Sequence, residues 1–143
     1  MNRVEPTIEL GDWERLRAEI LPIRFAVFVD EQKVPADLEV DEWDASSLHA
    51  VARDAGQHAI GTARLLPDGH IGRVAVLREA RGAGVGAALV RRMVQAARER
   101  GHSDVVLSAQ THALDFYRRL GFREEGAPYD DAGIPHITMR RRL

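Results

Sequence analysis

The amino-acid sequence predicts an α/β fold: one domain whose mixed, mostly antiparallel central sheet has about six or seven strands and is flanked by about four helices. Three observations lead there. Strand-like and helix-like segments alternate along the chain, three strand-like segments follow one another with only tight turns between them, and a glycine-dense turn joins the third of these to a long amphipathic helix. At 143 residues, with 45% apolar and 29% charged residues, the chain has the size and composition of a single folded domain, here residues 1–143, with one core.

Residues 7–10 (TIEL) form a short strand candidate, and Asp12 is suited to cap a helix that begins at Trp13. Pro22 either interrupts that helix or opens a second one, PIRFAVFVDEQ, since proline is tolerated in a first turn. Residues 35–47 are the linker-like stretch of the chain. LHAVARD and HAIGTARLL, parted by Ala55, Gly56 and Gln57, read as a hairpin, and HIGRVAVL follows after the turn Pro67-Asp68-Gly69. From Gly84 the period changes. Val85, Ala88, Leu89, Met93, Ala96 and Ala97 recur on one helical face, Arg98 and Arg100 sit where the helix dipole favours cations, and Gly101 is the stop. DVVLSA is then a buried strand, HALDFYRRLGF a helix closing at Gly121, and GIPHITMRRRL a last strand after a turn at residues 130–133.

A net charge of −2 argues against a general binder of nucleic acid or of membrane surfaces, so neither is expected as a partner. The absence of cysteine excludes disulfides, thiolate metal sites and a cysteine nucleophile together. The N-terminal stretch MNRVEPTIELGDWE lacks a basic run followed by an apolar one, and no segment approaches 18 uninterrupted apolar residues, which makes a cytoplasmic protein the expectation. No histidine pair has metal-ligand spacing, so no metal is expected. Lys33 is the sole lysine, which leaves contacts to phosphate or carboxylate to the forked guanidinium of arginine.

The turn at residues 81–86, RGAGVG, carries glycine at Gly82, Gly84 and Gly86, and glycine costs roughly 0.5–1 kcal/mol against alanine in ordered backbone. Something is therefore expected to approach the main chain closely. A strand that turns through glycines into a helix offers unpaired N–H groups and a positive helix end, which together bind anions; a plain tight loop is the alternative. A nucleotide-triphosphate loop needs Lys followed by Ser or Thr after its last glycine, whereas Ala87 and Ala88 stand here. A dinucleotide fingerprint fits Gly82, Gly84 and Ala87, yet the nearest ribose-binding acid, Asp104, lies at the start of the next strand rather than its end.

Arg81, Gly82, Ala83, Gly84, Val85 and Gly86 resemble the R/Q-x-x-G-x-G/A signature of the GNAT superfamily of acyl-CoA-dependent N-acyltransferases, and IGRVAV is similar to its adjoining strand. ALDFYRRLGF resembles the second conserved helix of that superfamily, and RFAVFVDEQKVP, EVDEWD and GIPHITM are similar to its small ElaA-like bacterial branch. The resemblance covers almost the whole chain. It implies acetyl-CoA as co-substrate, held at its diphosphate by the main chain of residues 82–86 and along its pantetheine arm by Val74, Ala75 and Val76, in the manner of an added strand. Phe116 and Tyr117 are implied to flank the coenzyme, Phe116 chiefly as core.

Acyl transfer to an amine needs a deprotonated nitrogen, a polarised carbonyl and a proton for the leaving thiolate. No G-x-S-x-G elbow surrounds Ser46, Ser47, Ser103 or Ser108, so direct attack in a ternary complex is expected rather than an acyl-enzyme. The resemblance implies the Val76 N–H as the group polarising the carbonyl and Tyr117 as general acid, with a core tyrosine as the plainer alternative. For the base, His136 in GIPHITM is one candidate; His58, His70 and His102 fall in turns and His112 at a helix start, where solvated or structural roles suffice. The acidic run holds Glu31, Asp37, Glu39, Asp41, Glu42 and Asp44, either a solvated loop or an anionic lip that draws in a cationic amine and supplies the base through Glu39 or Asp41. Arg24 and Arg64 are suited to anchor this loop by bidentate pairing. The acceptor is thus expected to be a small-molecule or protein amine, with a homodimer left open. Two other readings stand beside this one. Arg24, Phe28, Asp41, Asp44 and Arg64 also resemble acyl-homoserine lactone synthases, and a non-catalytic coenzyme A-binding module would keep the same fold.

Overall fold

The structure, a computed structural model, describes residues 6–143, the side chains of Leu38 and Glu39 lying outside the described residues. Its strands are β1 (Thr7–Gly11), β2 (Leu48–Arg53), β3 (Ala59–Leu65), β4 (Ile71–Val76), β5 (Asp104–Gln110), β6 (Arg123–Asp131) and β7 (Ile134–Arg142). Its α-helices are α1 (Trp13–Arg24), α2 (Ala36–Glu39), α3 (Val85–Glu99) and α4 (Leu114–Arg119), and a π-helical segment, Phe25–Glu31, continues α1 without a break. The strands form two antiparallel sheets, ordered β1-β2-β3-β4 and β5-β7-β6. They meet at one parallel bridge, His70 with Val106, where the Val106 N–H donates to the Gly69 carbonyl at 3.2 Å. Beyond that bridge β4 and β5 have no ladder between them, and the molecule opens there.

Strand alternation explains how one sheet carries two cores. Ala50, Ala52, Ala63 and Leu65 face α3, whose Leu89, Val90 and Met93 are fully buried against them. Val51 points to the other face, onto Leu16 and Ile20 of α1, and Ala75 of β4 meets Ile23 and Val27 on that side. Each of the larger side chains, such as Leu89, Val90 and Met93, contributes roughly 1.5–3 kcal/mol when removed from water, which holds the apolar face of α3 against the sheet. Asp12 caps α1 as its position implied, its carboxylate accepting the Arg15 N–H at 2.9 Å.

Three features depart from the sequence reading. Pro22 neither ends α1 nor starts a helix; it lies inside α1, and the π-helix follows it. The linker-like stretch contains α2 and is tied down by ion pairs. The strand β6 was not anticipated, because REEGAPYDD is exposed along its whole length and lacks the apolar alternation that marks a half-buried strand. The turn expected at residues 130–133 is narrower, since Asp130 and Asp131 still pair with β7 and the loop is Ala132 and Gly133, at φ 53° and 79°, the left-handed pair of a tight hairpin turn.

Candidate active site

The opening between β4 and β5 is a cleft of about 880 Å³, walled by the π-helical segment on one side and by the start of α3 and α4 on the other. It collects most of the residues singled out from sequence. Of the cofactor-binding candidates all but Ala83 line it, and so do Tyr117 and His136. Asp41 does not line it, and the Glu39 side chain lies outside the described residues.

At one end stands the glycine turn. Gly82 and Gly84 both have φ of 83°, a conformation that costs other residues roughly 1–2 kcal/mol, and Gly84 caps α3 in that state. No side chain occupies the N-cap hydrogen-bonding position and no acid stands in the first turn, so the N–H groups opening α3 keep their capacity for an anion.

The strand edge beside the turn also faces the cleft. The Leu77 N–H donates to the Ile60 carbonyl at 2.9 Å, and by the alternation of an antiparallel ladder Val76 turns its own N–H and C=O to the opposite edge, towards the cleft. The Arg81 Nε donates to that Val76 carbonyl at 3.0 Å, while its two terminal nitrogens grip Glu31 at 2.7 Å each. A bulge precedes this edge: β4 spends Arg73 and Val74 where β3 has Ala63 alone, with Arg73 at φ 49°.

Tyr117 sits edge-on to Phe116, with ring centroids 4.9 Å apart, and Phe116 lies beside Gly86. Burial pushes the Tyr117 phenol up to about 12, so the group stays protonated at neutral pH. Among the described residues no hydrogen bond engages its hydroxyl, which leaves that hydroxyl to the cleft.

His136 is held on several sides. Its Nδ1 lies 2.7 Å from the Ile134 carbonyl; a carbonyl only accepts, so Nδ1 donates there and Nε2 is the ring nitrogen left outside that contact. The Tyr129 ring stacks on it at 6.2 Å between centroids, and the Tyr129 hydroxyl is hydrogen-bonded to Ser108 on β5. Gln32 and Gln110 pair across the cleft through their carboxamides, at 2.8 and 3.4 Å.

The acidic loop turns its charge inward. Arg64 grips Asp41 with both terminal nitrogens (2.6 and 2.8 Å), Arg24 grips Asp44 likewise (2.7 and 3.1 Å), and Arg64 also reaches Asp44 at 2.9 Å. Arg24 and Asp44 are each 1% exposed. Burial alone would raise both carboxyls, but the guanidinium contacts win and hold Asp41 and Asp44 below the usual carboxylate range. With Glu31 on Arg81, Asp37 and Glu42 are the members of the run left in solvent among the described side chains. The anchoring expected of Arg24 and Arg64 is therefore present.

Gln32, Gln110, Ser108, Tyr129 and Asp131 were not reached from sequence. Ser108 belongs to an anticipated strand, which extends one residue further, to Gln110, and whose register with β7 sets both beside His136, a register no local pattern encodes. Tyr129 and Asp131 ride on the unanticipated β6.

Among the described residues no three His, Asp or Glu side chains are grouped to hold a metal ion, and no helix is long and apolar enough to cross a membrane. The family model of the acetyltransferase (GNAT) domain matches residues 16–143. An uncharacterized N-acetyltransferase, YjcF, of Bacillus subtilis is 40% identical over 83% of this chain and 87% of its own. Protein ElaA of Escherichia coli is 32% identical over 87% of this chain and 86% of its own. The crystal structure of an acyl-CoA N-acyltransferase from Pseudomonas aeruginosa superposes with a TM-score of 0.84 at 36% identity, covering 95% of this chain and 99% of that one.

Proposed function

Because the chain belongs to the GNAT acetyltransferase family, we propose that it moves an acetyl group from acetyl-CoA to an amine by direct attack in a ternary complex. The observation that carries this reading is the single cleft that joins the open start of α3, the cleft-facing edge of β4, a protonated phenol and an imidazole. The N–H groups of residues 82–86 would hold the diphosphate, and the cleft-facing edge of β4 would pair with the pantetheine arm.

The chemistry then balances within this set. The amine nitrogen attacks the thioester carbonyl carbon while the Val76 N–H stabilises the developing oxyanion. The C–N bond forms and the C–S bond breaks, Tyr117 gives its proton to the departing thiolate, and His136 Nε2 takes the proton released by the nitrogen. Asp41 suits this role less, since a carboxylate gripped twice by Arg64 is a weak base; its part in the proposal is to anchor the loop. A cytoplasmic location, consistent with a chain that has no cysteine, belongs to the same proposal.

Calorimetry with acetyl-CoA, followed by mass spectrometry of an amine library incubated with protein and acetyl-CoA, tests the reading. Saturable one-to-one binding and an acetylated product are expected. Binding without product would favour a coenzyme A-binding module, and no affinity for the coenzyme would end the proposal.

A further inference from the structure

The charge state of the cleft narrows the acceptor. Each arginine lining it is already paired: Arg64 to Asp41 and Asp44, Arg73 to Asp41 at 3.2 Å, and Arg81 to Glu31. His70 is paired with Asp68. Among the described cleft-lining residues, the carboxylate with no hydrogen bond or ion pair is Asp131, and the His112 side chain likewise has none.

Asp131 is well placed to act with His136. On the β6–β7 hairpin Tyr129 stands opposite His136 and Asp131 opposite Ile134, so Tyr129, Asp131, Ile134 and His136 share one face of the sheet. Asp131 is thus the diagonal neighbour of His136, at a spacing of roughly 7–8 Å between main chains. The tight turn at Ala132 and Gly133 follows at once and fixes that register. An ammonium placed between the two side chains meets a carboxylate on one side and a basic nitrogen on the other.

Building on the acetyl-transfer reading, we propose that the acceptor is a cationic amine bearing no anionic group beside its nitrogen, and that Asp131 is the carboxylate that captures it as the ammonium next to His136. An acceptor with its own carboxylate or phosphate would find no unpaired arginine in the cleft and would face Asp131 with like charge. A decarboxylated amine pays neither penalty.

The test uses matched acceptors that differ only in a carboxylate: tyramine against tyrosine, agmatine against arginine, and 1,4-diaminobutane against ornithine. With acetyl-CoA saturating, kcat/KM is expected to favour the decarboxylated member of at least one pair by about tenfold or more. Asp131→Asn is expected to raise the amine KM about fivefold, the effect of one solvent-exposed charge pair, with the KM for acetyl-CoA unchanged. Preference for the carboxylated members, transfer to neither member of any pair, or an amine KM unmoved by Asp131→Asn would overturn the assignment. Calorimetry with acetyl-CoA separates the two levels: a chain that binds the coenzyme but prefers amino acids refutes this inference alone, whereas a chain that does not bind it refutes the reading beneath.

Discussion

At the residue scale, two titratable side chains do opposite work. Tyr117 has its phenol pushed up to about 12 by burial, so it remains protonated throughout the pH range of an ordinary assay. If it donates to the leaving thiolate, Tyr117→Phe keeps the ring packing against Phe116 and Phe122 and removes the proton alone. A fall in kcat of about a hundredfold is expected, with the acetyl-CoA dissociation constant unchanged in calorimetry; an unaltered kcat would remove Tyr117 from the mechanism. His49, by contrast, is a fully buried imidazole whose Nε2 donates to the Asp44 carbonyl at 2.8 Å and whose Nδ1 has no partner. Desolvation, with help from Arg24 and Arg64, holds its pKa below the ordinary value of 6.5, against the opposing pull of Asp44. The folded state therefore resists the proton that the unfolded chain accepts, and stability is lost as pH falls through 6.5 towards the lower folded value, by up to about 1.4 kcal/mol per pH unit. The melting temperature is expected to drop between pH 7.5 and 5.5, and His49→Gln to flatten that slope. An identical slope in the variant would assign the acid sensitivity elsewhere.

At the scale of elements, the turn into α3 combines two demands, a left-handed backbone at Gly84 and bare N–H groups beyond it. Gly84→Ala imposes a cost of roughly 1–2 kcal/mol on that conformation. It is also expected to weaken acetyl-CoA binding at least tenfold, read by calorimetry, because relaxing φ re-aims the N–H groups. Loss of stability with full affinity would mean that the turn is merely structural. This element was legible because its signals are local: three glycines in five positions, then an apolar face repeating from Val85 to Ala97. The π-helical segment was not, since its register depends on packing Val27 against Ile23 and Ala75 rather than on composition. Nor was β6, whose pairing comes from the hairpin turn and from β7, while its own residues remain in solvent.

At the scale of the whole molecule, the site exists because two sheets meet at one bridge and then part. The half proposed for the coenzyme was in view from sequence, as it rests on one contiguous run, residues 74–86, that carries both strand edge and turn. The half proposed for the acceptor was only partly so: His136 was in view, but Tyr129 and Asp131 of β6 and Gln110 of β5 are set beside it by long-range register, and Gln32 joins them through Gln110. The acidic loop shows the same limit, for its charge suggested a lip while the fold spends Asp41 and Asp44 on Arg64 and Arg24. A ligand in the wedge must touch both sheets, which gives the arrangement a global signature. Acetyl-CoA at a hundred times its dissociation constant should stabilise the fold by about 2.7 kcal/mol, visible as a rise in melting temperature. In hydrogen exchange the protection should fall on the start of α3 and on the facing edges of β4 and β5 together, while β1 and β6, at the outer edges of the two sheets, stay unchanged. Protection confined to one sheet would place the coenzyme outside the wedge and leave Tyr117 and His136 with no reacting atoms between them.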